Sequence, residues 1–233
     1  MAGLTTYTVE ILIPTARFVF SVIDGAVDVV AEHRSPQAFA LYRRLAEADP
    51  VVGMITFPNT ILLRGAHTIV VDPGLHLQNE PVVRALECRG LAVRDIDAIL
   101  LTHAHVDHAG ACIDLPAPVF VHRRECETSH WPAVAGVLDG RTTLLQDADG
   151  EVLPGIDYAS TPGHTPGGVS YFVDTAEGVV AICGDTIGPT RDDFDAMPVA
   201  SGTQGDELTA SWRLIRSRRP TTVIAGHLPP FAL

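Results

Sequence analysis

What the chain lacks narrows it first. None of its apolar runs approaches the roughly 20 residues needed to cross a bilayer. Its opening, MAGLTTYTVE, has no basic stretch leading into an apolar one, which is the form of a secretory leader. The expectation is a cytoplasmic protein that does not engage a membrane. The four cysteines, Cys88, Cys112, Cys126 and Cys183, show no CxxC spacing. In a reducing compartment they are expected as small buried apolar residues, not disulfides. Basic residues are few: 16 Lys and Arg against 28 Asp and Glu give a formal net charge of -12. That balance argues against a nucleic-acid partner, because phosphate binding rests on clustered cations. The one basic cluster, residues 213–219, falls in an expected helix that ends beside Pro220, where a solvated face and the helix dipole account for it. No internal repeat, low-complexity tract or linker-like stretch divides the 233 residues, so residues 1–233 read as one domain, with the role of 1–60 open.

The composition that remains, 46% apolar and 19% charged, is ample for a large core. Residues 7–13 and 18–23 read as strands, expected as an antiparallel pair. Ser35-Pro36 opens a helix that runs to about Pro50. Residues 54–57, 60–64 and 67–72 look extended, with Gly65-Ala66 turning a hairpin. A helix from Pro81 carries Val82, Val83 and Leu86 inward and is closed by Gly90. Apolar runs at 98–101 and 118–121 read as buried strands. Residues 122–130 form a polar helix or turn, with His122 and His130 expected on the surface. Extended pieces at 142–145 and 156–159 are separated by an acidic, Gly-containing turn. A hairpin is expected from 169–173 and 179–183, then a helix over 206–218 with Leu208, Leu214 and Ile215 inward, then a strand at 222–225. The strand, helix, strand order implies layered α/β packing.

The chain is organised around LLTHAHVDHAG. His103, His105, Asp107 and His108 fall within a few residues of the end of the apolar run at 98–101, where loop side chains converge. Imidazoles and a carboxylate crowded at a strand end lose hydration, and a divalent cation is the commonest thing that offsets the loss. Three further extended runs end in a candidate ligand preceded by glycine: Gly163-His164, Gly184-Asp185 and Gly226-His227. This inventory of imidazoles and carboxylates exceeds one tetrahedral zinc and suits two adjacent divalent ions. Either Asp107 or Asp185 has the chemistry to bridge them. Asp72, in the turn sequence DPG, either caps that turn or supports a ligand from behind.

These residues carry a resemblance. THAHVDHAG resembles the HxHxDH signature of the metallo-β-lactamase-fold hydrolases, and PGHTPGG, CGDT and AGH resemble that family's later histidine, bridging aspartate and final histidine loops. The match runs from about Asp72 to His227. The resemblance implies an αββα sandwich of two mixed sheets enclosed by helices. It implies that His103, His105 and His164 hold one metal, that Asp107, His108 and His227 hold a second, and that Asp185 bridges. Zinc is the family's usual metal, with iron or manganese possible on the same ligands.

The chemistry so implied is hydrolysis of an ester, lactone, thioester or amide of a small molecule by a hydroxide held between the metals, with Asp107, the candidate catalytic carboxylate, or the second ion assisting the leaving group. The chain is similar to the short acyl-homoserine-lactonase-like members, yet GDTIGPTRDDFD lacks the tyrosine with which those enzymes bind substrate. A glyoxalase II-like reading is weakened by the chain's end six residues after His227, which leaves no helical substrate domain. The alternatives are a mononuclear iron persulfide dioxygenase-like enzyme on the same scaffold and a non-enzymatic metal-binding module. Oligomeric state is left open.

Overall fold

The computed structural model describes residues 5–23, 26–33, 52–138, 140–147, 149–188, 191–196 and 203–233; the helix expected from Ser35 lies outside them. The described chain runs β1 (Thr8–Ile13), β2 (Ala16–Ile23), β3 (Ala26–His33), β4 (Val52–Phe57), β5 (Thr60–Arg64), β6 (Thr68–Val71), α1 (Pro81–Glu87), β7 (Ala98–Leu100), α2 (Val106–Ala109), β8 (Val119–His122), α3 (Trp131–Leu138) and β9 (Thr142–Leu145). It continues β10 (Gly150–Leu153), β11 (Ile156–Ser160), β12 (Val169–Thr175), β13 (Gly178–Gly184), α4 (Arg191–Ala196), α5 (Thr203–Ser217), β14 (Thr222–Ala225) and β15 (Phe231–Ala232). Short 3-10 turns lie at Val93–Asp95, Gly110–Asp114 and Arg123–Glu127.

Two six-stranded sheets, ordered β1-β5-β6-β7-β8-β9 and β10-β11-β12-β13-β14-β15, form the body, and β3-β2-β4 make a smaller three-stranded sheet. Both large sheets are mixed: β6, β7, β8 and β9 are parallel neighbours, as are β13 and β14, while the remaining pairs are antiparallel. Alternation along each strand assigns its two faces. In the first sheet Ile61, Leu63, Ile69, Val71, Ala98 and Leu100 point to a core shared with Val169, Tyr171, Val173, Ile182 and Ile224 of the second. The intervening Leu62, Val70 and Ile99 turn outward against Val82 and Leu86 of α1 and Val134 and Leu138 of α3. On the far side of the second sheet, Phe172, Ala181, Cys183 and Val223 pack against Phe194 of α4 and Trp212 and Ile215 of α5. Helix, sheet, sheet, helix is therefore the layering, and continuously apolar runs such as AIL at β7 are buried because both faces are covered.

Three expectations are corrected. The runs near 7–13 and 18–23 are strands but not each other's partners: β1 pairs with β5, and β2 pairs with β3 and β4. The chain is diverted at Thr15, whose N–H donates to Asn59 Oδ1 at 3.0 Å and whose hydroxyl donates to the Phe57 carbonyl. The stretch before residue 156 contains a strand, β10, that turns through Gly155 (φ +82°) to pair with β11. It is a short edge strand with little buried area, so it carries no strong apolar pattern. His122 is fully buried, not on the surface, because its Nδ1 accepts from the Arg124 N–H and caps the turn at Arg123–Glu127. The hairpins at β5/β6 and β12/β13, the helix from Pro81 and the strand at β14 lie where the sequence placed them, while α5 begins earlier, at Thr203, and buries Trp212 beside Ile215.

Candidate metal centre

Parallel neighbours end at the same edge, and that edge holds the centre. At the end of β6 the Asp72 N–H donates to the Leu100 carbonyl at 3.0 Å, so Asp72 lies beside the chain leaving β7. At the end of β13 the Gly184 carbonyl accepts from the Gly226 N–H at 2.8 Å, which sets Asp185 beside His227. The Val169 N–H donates to the Thr102 carbonyl at 2.9 Å and ties the two sheets together there. His105 precedes α2, and its carbonyl accepts from both His108 and Ala109, so this single turn displays Asp107 and His108. Two glycines are sterically required. Gly184 adopts φ +49° against Thr102 Oγ1. A Cβ on Gly226 would stand 2.1 Å from Asp185 Oδ1.

The structure brings all seven candidate side chains together. Ligand atoms of His103, His105 and His164 lie within 4.8 Å of one another, as do those of His103, His108 and Asp185, and those of Asp107, His108 and His227. Asp185 stands between the first and third groups, with Oδ1 3.3 Å from His108 Nε2 and Oδ2 3.5 Å from His164 Nε2 and 3.4 Å from His227 Nε2. Asp107 Oδ2 lies 3.3 Å from His227 Nε2, and His164 Nε2 lies 3.0 Å from His105 Nδ1.

These contacts are crowded with acceptors. The Nε2 atoms of His103 and His105 are buried without a hydrogen-bond partner. The chain contains no lysine, and among the described residues no arginine pairs with the cluster. Burial, then neighbouring His108, holds His103 well below the ordinary imidazole range, and burial, then His164 and His130, lowers His105 to about 4. Burial also lowers His164. Against the opposing cost of burial, Asp185 and Asp72 raise His108 well above its ordinary value. Burial likewise disfavours charge on Asp185, yet His108 and His227 draw it well below the carboxylate range. His103, His105 and His164 are thus held as neutral lone pairs and Asp185 as a carboxylate, the states in which such groups ligate metals. At His108, and at His227, which is raised against the cost of burial by Asp185, a divalent cation would take the place of a proton, so the donor set fits divalent cations.

Supporting groups hold the donors. Asp72, with left-handed φ 48°, accepts from the Thr102 N–H, the Thr102 hydroxyl and His108 Nδ1, the last at 2.9 Å. With Nδ1 donating to Asp72, His108 presents Nε2 to the cluster. Thr56 donates to Asp107 Oδ2 at 3.1 Å from β4. Buried Asn59 donates to the carbonyls of Ala225 and Leu228, on either side of His227. Buried Glu125 joins the loops of His103 and His164. Thr56, Asn59 and Glu125 are not visible as site residues in the sequence, since none neighbours a ligand along the chain. His130 is exposed, as expected, but its ring stands against His105 with centroids 4.2 Å apart.

Two facing mixed sheets between helices, with histidines and aspartates gathered at one edge, define a metallohydrolase-type sandwich. The chain belongs to the metallo-beta-lactamase superfamily, whose family model matches residues 55–227. It is similar to the Bacillus subtilis protein named "Probable metallo-hydrolase YqgX", 32% identical over 197 residues that cover 76% of this chain and 88% of that protein. It is also similar to a hydroxyacylglutathione hydrolase of Methylobacillus flagellatus, 32% identical over 72% of this chain but only 60% of that enzyme's length. Among solved structures, an N-acyl homoserine lactone hydrolase with the product N-hexanoyl-L-homoserine at its catalytic metal centre superimposes with a TM-score of 0.64 at 19% identity, covering 96% of this chain and 93% of that one.

Proposed function

We propose that this chain is a binuclear metal-dependent hydrolase acting on a small acyl substrate, a thioester or a lactone. The observation that carries the reading is the cluster itself: seven imidazole and carboxylate side chains converge in three groups, the ligand atoms of each lying within 4.8 Å of one another, and among the described residues no arginine pairs with them. His103, His105 and His164 would hold one cation, and Asp107, His108 and His227 the other, with Asp185 between them. A pair of divalent ions supplies water acidified to near neutral pH and polarisation of a carbonyl oxygen. Zinc, iron and manganese all suit imidazole and carboxylate donors, and zinc is the metal proposed.

The chain's own residues do the rest. Asp72 retains the Nδ1 proton of His108, keeping Nε2 free to ligate. The Thr56 hydroxyl and His227 fix Asp107 Oδ2 within the centre. The Asp107 carboxylate would take a proton from the attacking water and return it to the departing alkoxide or thiolate. Arg89, Arg123, Arg216 and Arg218 are paired with Glu10, Asp147, Asp195 and Asp149, which supports a small-molecule substrate over a polyanion. No described helix is long and apolar enough to cross a membrane. The relatives named for hydroxyacylglutathione and for N-acyl homoserine lactone support acyl substrates of these kinds. The test is a panel of thioesters, lactones, phosphoesters and β-lactams with zinc-loaded and chelator-treated full chain. Metal-dependent, oxygen-independent turnover of a thioester or lactone is expected. Oxygen uptake with iron, or inactivity across the panel with metals bound, would overturn the reading.

A further inference from the structure

Glu125 is a carboxylate in a place that costs free energy, since its residue has no exposed surface and among the described residues no ion pair reaches it. It sits in the turn at Arg123–Glu127, directly after β8. Both of its oxygens are committed. Oε2 accepts from the Ala104 N–H at 2.8 Å, and Oε1 accepts from the Gly167 N–H at 2.9 Å. Ala104 lies between His103 and His105, and Gly167 closes the loop that carries His164. Packing against this second loop leaves no slack, for a Cβ at residue 167 would come 2.6 Å from the Glu125 nitrogen and 2.7 Å from its Oε1.

Among the described residues nothing comparable joins Glu125 to the other side of the centre. Asp107, His108 and His227 are held instead by Thr56, Asp72 and the Asn59 clasp at the end of β14. Asp72 also reaches the first donor set, through Thr102, whose Oγ1 lies 3.2 Å from His103 Nδ1, whereas Glu125 bonds only to the loops of His103, His105 and His164. We infer that Glu125 is a positioning residue for one cation alone: its two oxygens fix the spacing between the 103–105 loop and the 164–167 loop, and so set the geometry of the His103, His105, His164 site while leaving the Asp107, His108, His227 site independent of it. This rests on the two-cation reading above.

A carboxylate accepts at both ends, whereas an amide presents an NH2 to one of the two N–H groups. Glu125→Gln therefore keeps the shape and breaks one bond, and Glu125→Asp keeps the charge but is too short to span both loops. The experiment titrates Co(II) alone into the metal-free full-length protein, following visible absorption bands and bound cobalt, beside far-UV circular dichroism of the same samples. In wild type two cobalt ions are expected. In Glu125→Gln one should bind as in wild type, and the other should bind roughly 10- to 100-fold more weakly with altered bands. If Glu125→Gln does not fold, Glu125→Asp decides on the same readout. Two ions bound by the folded variant with wild-type affinity and spectrum would overturn the role of Glu125, as would equal weakening of both. A wild-type protein that binds no cobalt would instead overturn the metal-centre reading, so the two failures are distinct.

Discussion

At the scale of single residues, close approach decides what is tolerated. Gly226 and Gly136 make the contrast: a methyl group on the first meets Asp185 Oδ1 at 2.1 Å, while the second has nothing within 4 Å. Gly226→Ala is expected to cost about 1–3 kcal/mol by overpacking and to weaken metal retention. Gly136→Ala, inside α3, is expected to stabilise by about 0.5–1 kcal/mol through helix propensity. Urea midpoints measured on both variants check the pair. Thiol chemistry is similarly local. Against the expectation of four buried cysteines, Cys88 is exposed and Cys126 partly so, whereas Cys112 and Cys183 are buried, and burial pushes the Cys183 thiol up to about 12. An aromatic disulfide reagent is expected to modify Cys88 in the folded protein, and Cys112 and Cys183 only after unfolding. Rapid modification of all of them would contradict the packing.

At the scale of elements, the strand ends are held by side chains far away in sequence. Asn59, at 1% exposure, serves the carbonyls of Ala225 and Leu228 and the N–H of Thr15. Asn59→Ala leaves those buried backbone groups without partners, and the expected loss is about 3 kcal/mol, read by thermal unfolding. A loss below about 0.5 kcal/mol would show that water replaces the clasp. What was legible in the sequence follows the same division. Strands covered on both faces, such as β7 and β13, and ligands that follow such strands, His103 and Asp185, were written as apolar runs ending in polar residues. The hairpins closed by Gly65 and by Glu177-Gly178 were legible from their turns. Not legible were strand partners, set by the diversion at Thr15, and the weakly apolar edge strand β10. Glu125 and Thr56 were hidden because their roles arise only when separate loops meet. His122 looked like a surface residue, since a capping histidine has no signature distinct from a solvated one.

At the scale of the whole molecule, burying several imidazoles in one cluster ties stability to pH and to cations. Folded His105 lies at about 4 against its ordinary 6.5. As pH falls through that window the unfolded chain takes up this proton and the folded chain does not, so the contribution lowers stability between about 6.5 and 4 and changes nothing further below. In metal-free protein, His105→Asn is expected to flatten the acid side of the stability curve over that range, measured by urea unfolding at several pH values. An unchanged slope would contradict it. Bound cations should stabilise the fold by mass action, and chelation should lower the melting temperature.

The most direct measurement is metal content per chain after reconstitution with zinc and removal of excess, in wild type, His105→Ala and His227→Ala. Two ions in the wild type, and one in each variant with acyl hydrolysis lost in both, are the expected result. Two ions retained by either variant, or none in the wild type, would contradict a centre built from these seven side chains.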